Sequence, residues 1–85
     1  MKLEYEYLRF VEIAGKPKTK VWSCRQLGGD LELGQVSWWA PWRQYCYFPG
    51  PSVYSAGCLR NIASFIHQAN AEHLKAKSQE PGASA

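Results

Sequence analysis

Leu33-Gly34-Gln35-Val36-Ser37-Trp38-Trp39-Ala40-Pro41-Trp42-Arg43-Gln44-Tyr45-Cys46-Tyr47-Phe48-Pro49 is the stretch whose reading decides the fold, and it holds three of the chain's four tryptophans. Aromatic and β-branched residues suit a pleated, half-buried surface, so the stretch reads as two strands, Leu33 to Trp39 and Trp42 to Phe48. Ala40-Pro41 separates them, because proline brings no N–H to a central ladder. Pro49-Gly50-Pro51 then ends the sheet: two prolines remove donors and the glycine allows a sharp change of direction.

Upstream, Met1 to Ile13 is rich in Tyr, Phe, Val and Ile and is broken by Ala14-Gly15-Lys16-Pro17, a strand followed by a turn. Thr19 to Leu27, centred on Val21 and Trp22, stops at Gly28-Gly29-Asp30 and supplies another strand. Downstream, from Ser55, the apolar period changes from two to about 3.6, with Leu59, Ile62, Ala63, Ile66, Ala69 and then His73 or Leu74 along one stripe. Ser55 is the expected N-cap, and Arg60, Asn61, Ser64, His67, Gln68 and Glu72 are expected on the solvent side. Lys75 and Lys77 suit the negative end of the helix dipole. The expected fold is α+β: an antiparallel meander of about four strands with one C-terminal amphipathic helix packed on one face. Residues 1–77 form a single domain and residues 78–85, which lack any apolar side chain larger than alanine, a disordered tail.

Strand alternation sorts the central hairpin into two faces. Val36, Trp38, Cys46 and Phe48 are expected to receive the helix. Gln35, Ser37, Trp39, Arg43, Tyr45 and Tyr47 are expected on the other side. That second set either packs beneath Tyr5, Tyr7 and Phe10 of the N-terminal segment or forms a binding surface, since Trp, Tyr and Arg anchor protein interfaces and stack on bases.

The chain has 85 residues and a formal charge of +3. A chain of this size buries only about 60–65% of its unfolded surface, so four Trp, five Tyr and three Phe have a structural use before any functional one. Three widely spaced cysteines, Cys24, Cys46 and Cys58, with no Cys-x-x-Cys, read as free thiols in a reducing, cytoplasmic setting. No membrane segment is expected. His67 and His73, six residues apart on one helix, project about 120° from one another and make no adjacent pair. No acid–base pair of carboxylates, close-spaced metal-ligand set or phosphate-cradling glycine loop occurs. We therefore expect no enzyme activity, no metal and no cofactor.

The motif Leu33-Gly34-x-Val36-x-Trp38-x-x-Pro41-Trp42-Arg43-Gln44-Tyr45-Cys46-x-Phe48-Pro49, followed by Cys58-Leu59-x-x-Ile62-x-x-Phe65-Ile66, resembles a family of small proteins of bacteria, bacteriophages and prophages. Their usual form is Leu-Gly-x-Ile-x-Trp-Tyr-x-Pro-Trp-Arg-Gln-Tyr-Cys-Phe-Phe-Pro and then a helix. The resemblance runs from about Val21 to Leu74. It implies origin and fold, and an accessory protein that binds a host or phage component, such as a factor of host defence, without catalysis. Trp39, Arg43, Tyr45 and Tyr47 are the expected binding residues. The alternative is a nucleic-acid module using the same face, with Lys16, Lys18 and Lys20 on phosphates or on an acidic partner. A free edge strand would also permit self-association.

Overall fold

The computed structural model describes residues 1–15 and 18–78. Lys16, and residues 79–85 of the expected tail, lie outside the described residues. Four strands, β1 (Leu8–Gly15), β2 (Lys20–Gln26), β3 (Glu32–Trp39) and β4 (Gln44–Pro49), form one antiparallel sheet in the order β1-β2-β3-β4. The helix α1 (Ala56–Ser78) follows and packs against the sheet. The fold is the α+β meander that the sequence predicts. No described helix is long and apolar enough to cross a membrane.

The first strand is shorter than the apolar run suggests. Met1 to Tyr7 folds back on its start, with an isolated bridge between Glu4 and Arg9 and hydrogen bonds from Tyr5 N to Leu8 O and Phe10 N to Leu3 O. Side-chain amides of α1 hold this segment. Gln68 accepts from Lys2 N at 2.6 Å and donates to Lys2 O at 2.8 Å, and Asn61 accepts from Tyr7 N at 3.0 Å. Asn70 does the same for the edge strand, accepting from Tyr45 N at 2.8 Å. Asn61 and Gln68, expected in solvent, thus tie the exposed N-terminal segment to the helix.

Ser55 caps α1 as expected, its Oγ accepting from Cys58 N at 3.2 Å. The buried stripe, however, is rotated: Gly57, Ile62, Phe65 and Ala69 face the sheet, while Leu59 is 53% and Leu74 65% exposed. Phe65 is the centre of the core. It stacks on Phe10 with centroids 4.0 Å apart and meets Trp22 edge-on at 5.1 Å and Tyr5 at 6.4 Å. A helix presents whichever stripe buries most area, and one phenyl ring outweighs Leu59 with Ala63 once three aromatic partners surround it. Gly57 is there because the Tyr7 ring lies against the helix, where a Cβ would overlap it.

Candidate binding face of the sheet

Between the paired residues Trp39 and Gln44 the chain makes one 3₁₀ turn, Ala40–Trp42, with Pro41 in its first turn. Arg43 follows at φ 53° and ψ 47°, and it is the sole non-glycine residue at positive φ among those described. The loop thus holds four residues, an even number, so odd positions of β3 stand beside even positions of β4. Trp38 pairs with Tyr45 and Val36 with Tyr47; Ser37 pairs with Cys46 and Gln35 with Phe48.

This register corrects half of the expected site. Tyr45 and Tyr47 point to the helix, not away from it, and Cys46 and Phe48 take the outer side. Tyr45 is only 4% exposed, edge-on to Trp22 and Trp38 at 5.3 Å from each, and its hydroxyl accepts from Lys20 N at 3.1 Å. Tyr47 lies over Gly34, where any Cβ would overlap its hydroxyl, and donates to the Tyr54 hydroxyl at 3.2 Å. Tyr54 in turn donates to Leu33 O. Burial raises the pKa of both Tyr45 and Tyr47, so both are neutral packing groups with satisfied tips. Glycine within a strand marks close approach, and Gly34 was the sequence signal for this side of the sheet.

Trp39 and Arg43 remain at the surface. Trp39 is 40% exposed and meets Phe48, also 40% exposed, edge-on at 6.0 Å. Trp42, at the turn's tip, is 67% exposed. No described residue hydrogen-bonds to or ion-pairs with the Arg43 side chain. The N-terminal segment does not cover this face: Tyr5 and Phe10 pack with Phe65 on the helix side.

The other end of the outer face is polar. A bulge in β3 at Leu33, where the pairing steps from Cys24–Gly34 to Arg25–Glu32, turns Glu32 outward beside Arg25. Ser23 Oγ donates to Glu32 at 2.6 Å and accepts from Arg25 Nε at 3.1 Å, and Gln35 donates to Glu32 at 3.3 Å. Ser23 is fully buried beneath these longer side chains. Beside Trp39, at the same end of β2 and β3, lies a depression of about 330 Å³, lined in part by Gly15, Thr19, Val21 and Ser37.

The expected lysines are elsewhere. Lys18 and Lys20 rim a separate groove of about 310 Å³, with Trp22, Tyr45, Glu72 and His73, on the helix side of the sheet. Lys20 lies 3.8 Å from Glu12, both side chains more than half exposed, a pairing worth little in water. Cys24 is buried on the inner face and Cys46 sits on the outer, so the sheet itself stands between these two thiols. Burial pushes the Cys24 thiol up to about 11, which keeps it protonated and inert. His67 is exposed on the helix, and His73 lies against Trp38 at 4.4 Å. Among the described residues no three His, Cys, Asp or Glu side chains converge on a point that could hold a metal ion.

Over 66 residues the chain is 36% identical to an "Uncharacterized 9.3 kDa protein" of Acholeplasma phage L2, a match spanning 74% of this chain and 83% of the phage protein. The chain belongs to that phage protein's family. No family model matches it, and no solved structure does. Membership of the phage family supplies a biological setting and brings no activity with it, so the function rests on the geometry of the sheet.

Proposed function

We propose that this member of the phage family is a non-enzymatic accessory protein that recognises another protein through the open face of its sheet. The contact residues are Trp39, Phe48 and Cys46 on the strands, with Trp42 and Arg43 at the turn. Arg43 carries the proposal. A left-handed backbone conformation costs an L-residue about 1–2 kcal/mol, and glycine would avoid that cost. Arginine nonetheless occupies the position, exposed, with a guanidinium that no described residue engages, beside the exposed indole of Trp42. Strain held where the fold gains nothing from the side chain points to a use outside the fold. Arg and Trp are the residue types that most often dominate interface energies.

The separation of Lys18 and Lys20 from this face leaves Arg43 beside its rings without them, which weighs against nucleic acid, since a phosphate backbone calls for several cations along the stacking rings. The test is affinity capture from a lysate of host bacteria that also express an untagged copy of the chain, with the native chain and with a Trp39→Ala, Phe48→Ala double variant, each with and without nuclease. The proposal expects a specific protein retained by the native chain, insensitive to nuclease, and lost from the variant while its circular dichroism spectrum is unchanged. Retention that vanishes on nuclease treatment, or that survives in the variant, would overturn it.

A further inference from the structure

The outer face has the composition of a surface that can close on itself, and we infer that its occupant is a second copy of this chain, packed sheet on sheet. The inference rests on the reading of this face as a protein-binding surface and names the partner. The first ground is charge. At the level where β2 and β3 pair, Arg25 and Glu32 stand side by side, one cation and one anion. Arg25 spends only its Nε, on Ser23, and no described residue takes its two terminal amino groups. A two-fold axis running along the strands between β2 and β3 lays each β2 over the partner's β3 at the same height. Arg25 then faces the partner's Glu32, and Glu32 the partner's Arg25, giving two equivalent ion pairs.

The second ground is shape. Under the same operation Trp39, at the far end of β3, comes over the far end of the partner's β2, where the depression of about 330 Å³ between Gly15, Thr19, Val21 and Ser37 lies open. Val11 and Phe48 share one row across the sheet, through Ser23 and Gln35, so Val11 of each copy meets the partner's Phe48. A single axis thus places charge on opposite charge, a ring on a hollow and an apolar side chain on an apolar side chain. Aligned sheets pack in this way, about 10 Å apart and crossing at about −30°.

The third ground is area. Four strands spaced about 4.8 Å apart and eight residues rising about 3.3 Å each give a footprint of roughly 500 Å² per copy. A pair therefore buries about 1,000 Å², the lower bound for a specific interface, which predicts a dimer that dissociates on dilution.

Sedimentation velocity across a wide concentration range tests this, with Arg25→Glu and Glu32→Arg prepared singly. The native chain should pass from monomer to dimer as concentration rises. Each single variant puts like charges opposite one another and should self-associate at least about tenfold more weakly, whereas an equimolar mixture of the two restores opposite charges and should dimerise as the native chain does. Trp39→Glu, a substitution on the solvent side of the sheet, should also give a monomer with an unchanged circular dichroism spectrum, and it serves if either charge variant fails to fold. A native chain that stays monomeric throughout, or a mixture no better than its components, would overturn the second copy as occupant. If in that case Trp39→Ala with Phe48→Ala still abolishes nuclease-insensitive capture, the face binds a different protein; if capture also persists, the reading of the face itself fails.

Discussion

At the scale of single residues, the fold and the proposed function pull Arg43 in different directions. Its backbone sits in the left-handed region, where glycine is at ease, and its side chain has no described partner. Arg43→Gly should therefore raise stability by about 0.5–1 kcal/mol, the relief of the left-handed strain less the extra chain entropy that glycine loses on folding. In a chain of this size that is a rise of a few degrees in melting temperature, measurable by differential scanning fluorimetry. The same variant should weaken partner capture, because it removes the guanidinium and leaves the register of the hairpin intact. A substitution that stabilises the fold and costs binding is the mark of a residue kept for its contacts. Lower stability would show that the arginine supports the turn itself.

At the scale of elements, the sequence told strand from helix but not which side of either faced inward. The strand Gln44–Pro49 carries Tyr45, Cys46, Tyr47 and Phe48 in succession, so both alternating sets are apolar and periodicity cannot choose between them. The choice follows from how many residues the loop spends, and that number is set by one residue, Arg43, adopting a conformation that its type does not announce. The helix was ambiguous in the same way. Leu59, Ile62, Ala63 and Ile66 recur at helical spacing, and so do Cys58, Ile62, Phe65 and Ala69; tertiary packing of Phe65 against Phe10 and Trp22 selects the second. The two stripes make different energetic predictions. Phe65→Ala removes a buried ring from between three aromatic neighbours and should cost about 3–5 kcal/mol, a large share of the stability of so small a domain. Leu59→Ala, on the exposed side, should change stability by no more than about 0.5 kcal/mol. Urea unfolding of both variants checks the orientation of the helix directly, and comparable losses would mean that it packs through the other stripe.

At the scale of the whole molecule, the order of elements was legible because Gly and Pro punctuate the chain at Gly28-Gly29 and at Pro49-Gly50-Pro51, while the polar arrangement within the layers was not. Amides on α1 that look solvated in sequence reach across to the backbone of Lys2, Tyr7 and Tyr45, and hydroxyls of inward tyrosines find partners at the sheet's margin. Apart from the pairing of Tyr47 with Tyr54, these bonds join residues 25 or more positions apart in sequence, so no local pattern reveals them. They also leave the core with a concentration of weak acids held protonated: Cys24, whose thiol burial pushes from 9.0 up to about 11, and Tyr45 and Tyr47, whose phenols burial also raises. The consequence is alkaline lability. Above pH 9.0 the unfolded chain releases the Cys24 proton while the folded chain retains it, so the unfolded state binds fewer protons and stability falls as pH rises. The stabilising contribution is complete below that value and is lost progressively toward about pH 11, with the tyrosines steepening the fall beyond their ordinary value of 10.0. Melting temperature should hold steady through neutral pH and then decline across this window. Cys24→Ala should melt lower at neutral pH, by about 1–2 kcal/mol of lost packing, yet decline less steeply from pH 9.0 to about 11, so that the two curves converge. Curves that run parallel through the window would show that the Cys24 proton is not what the alkaline transition releases.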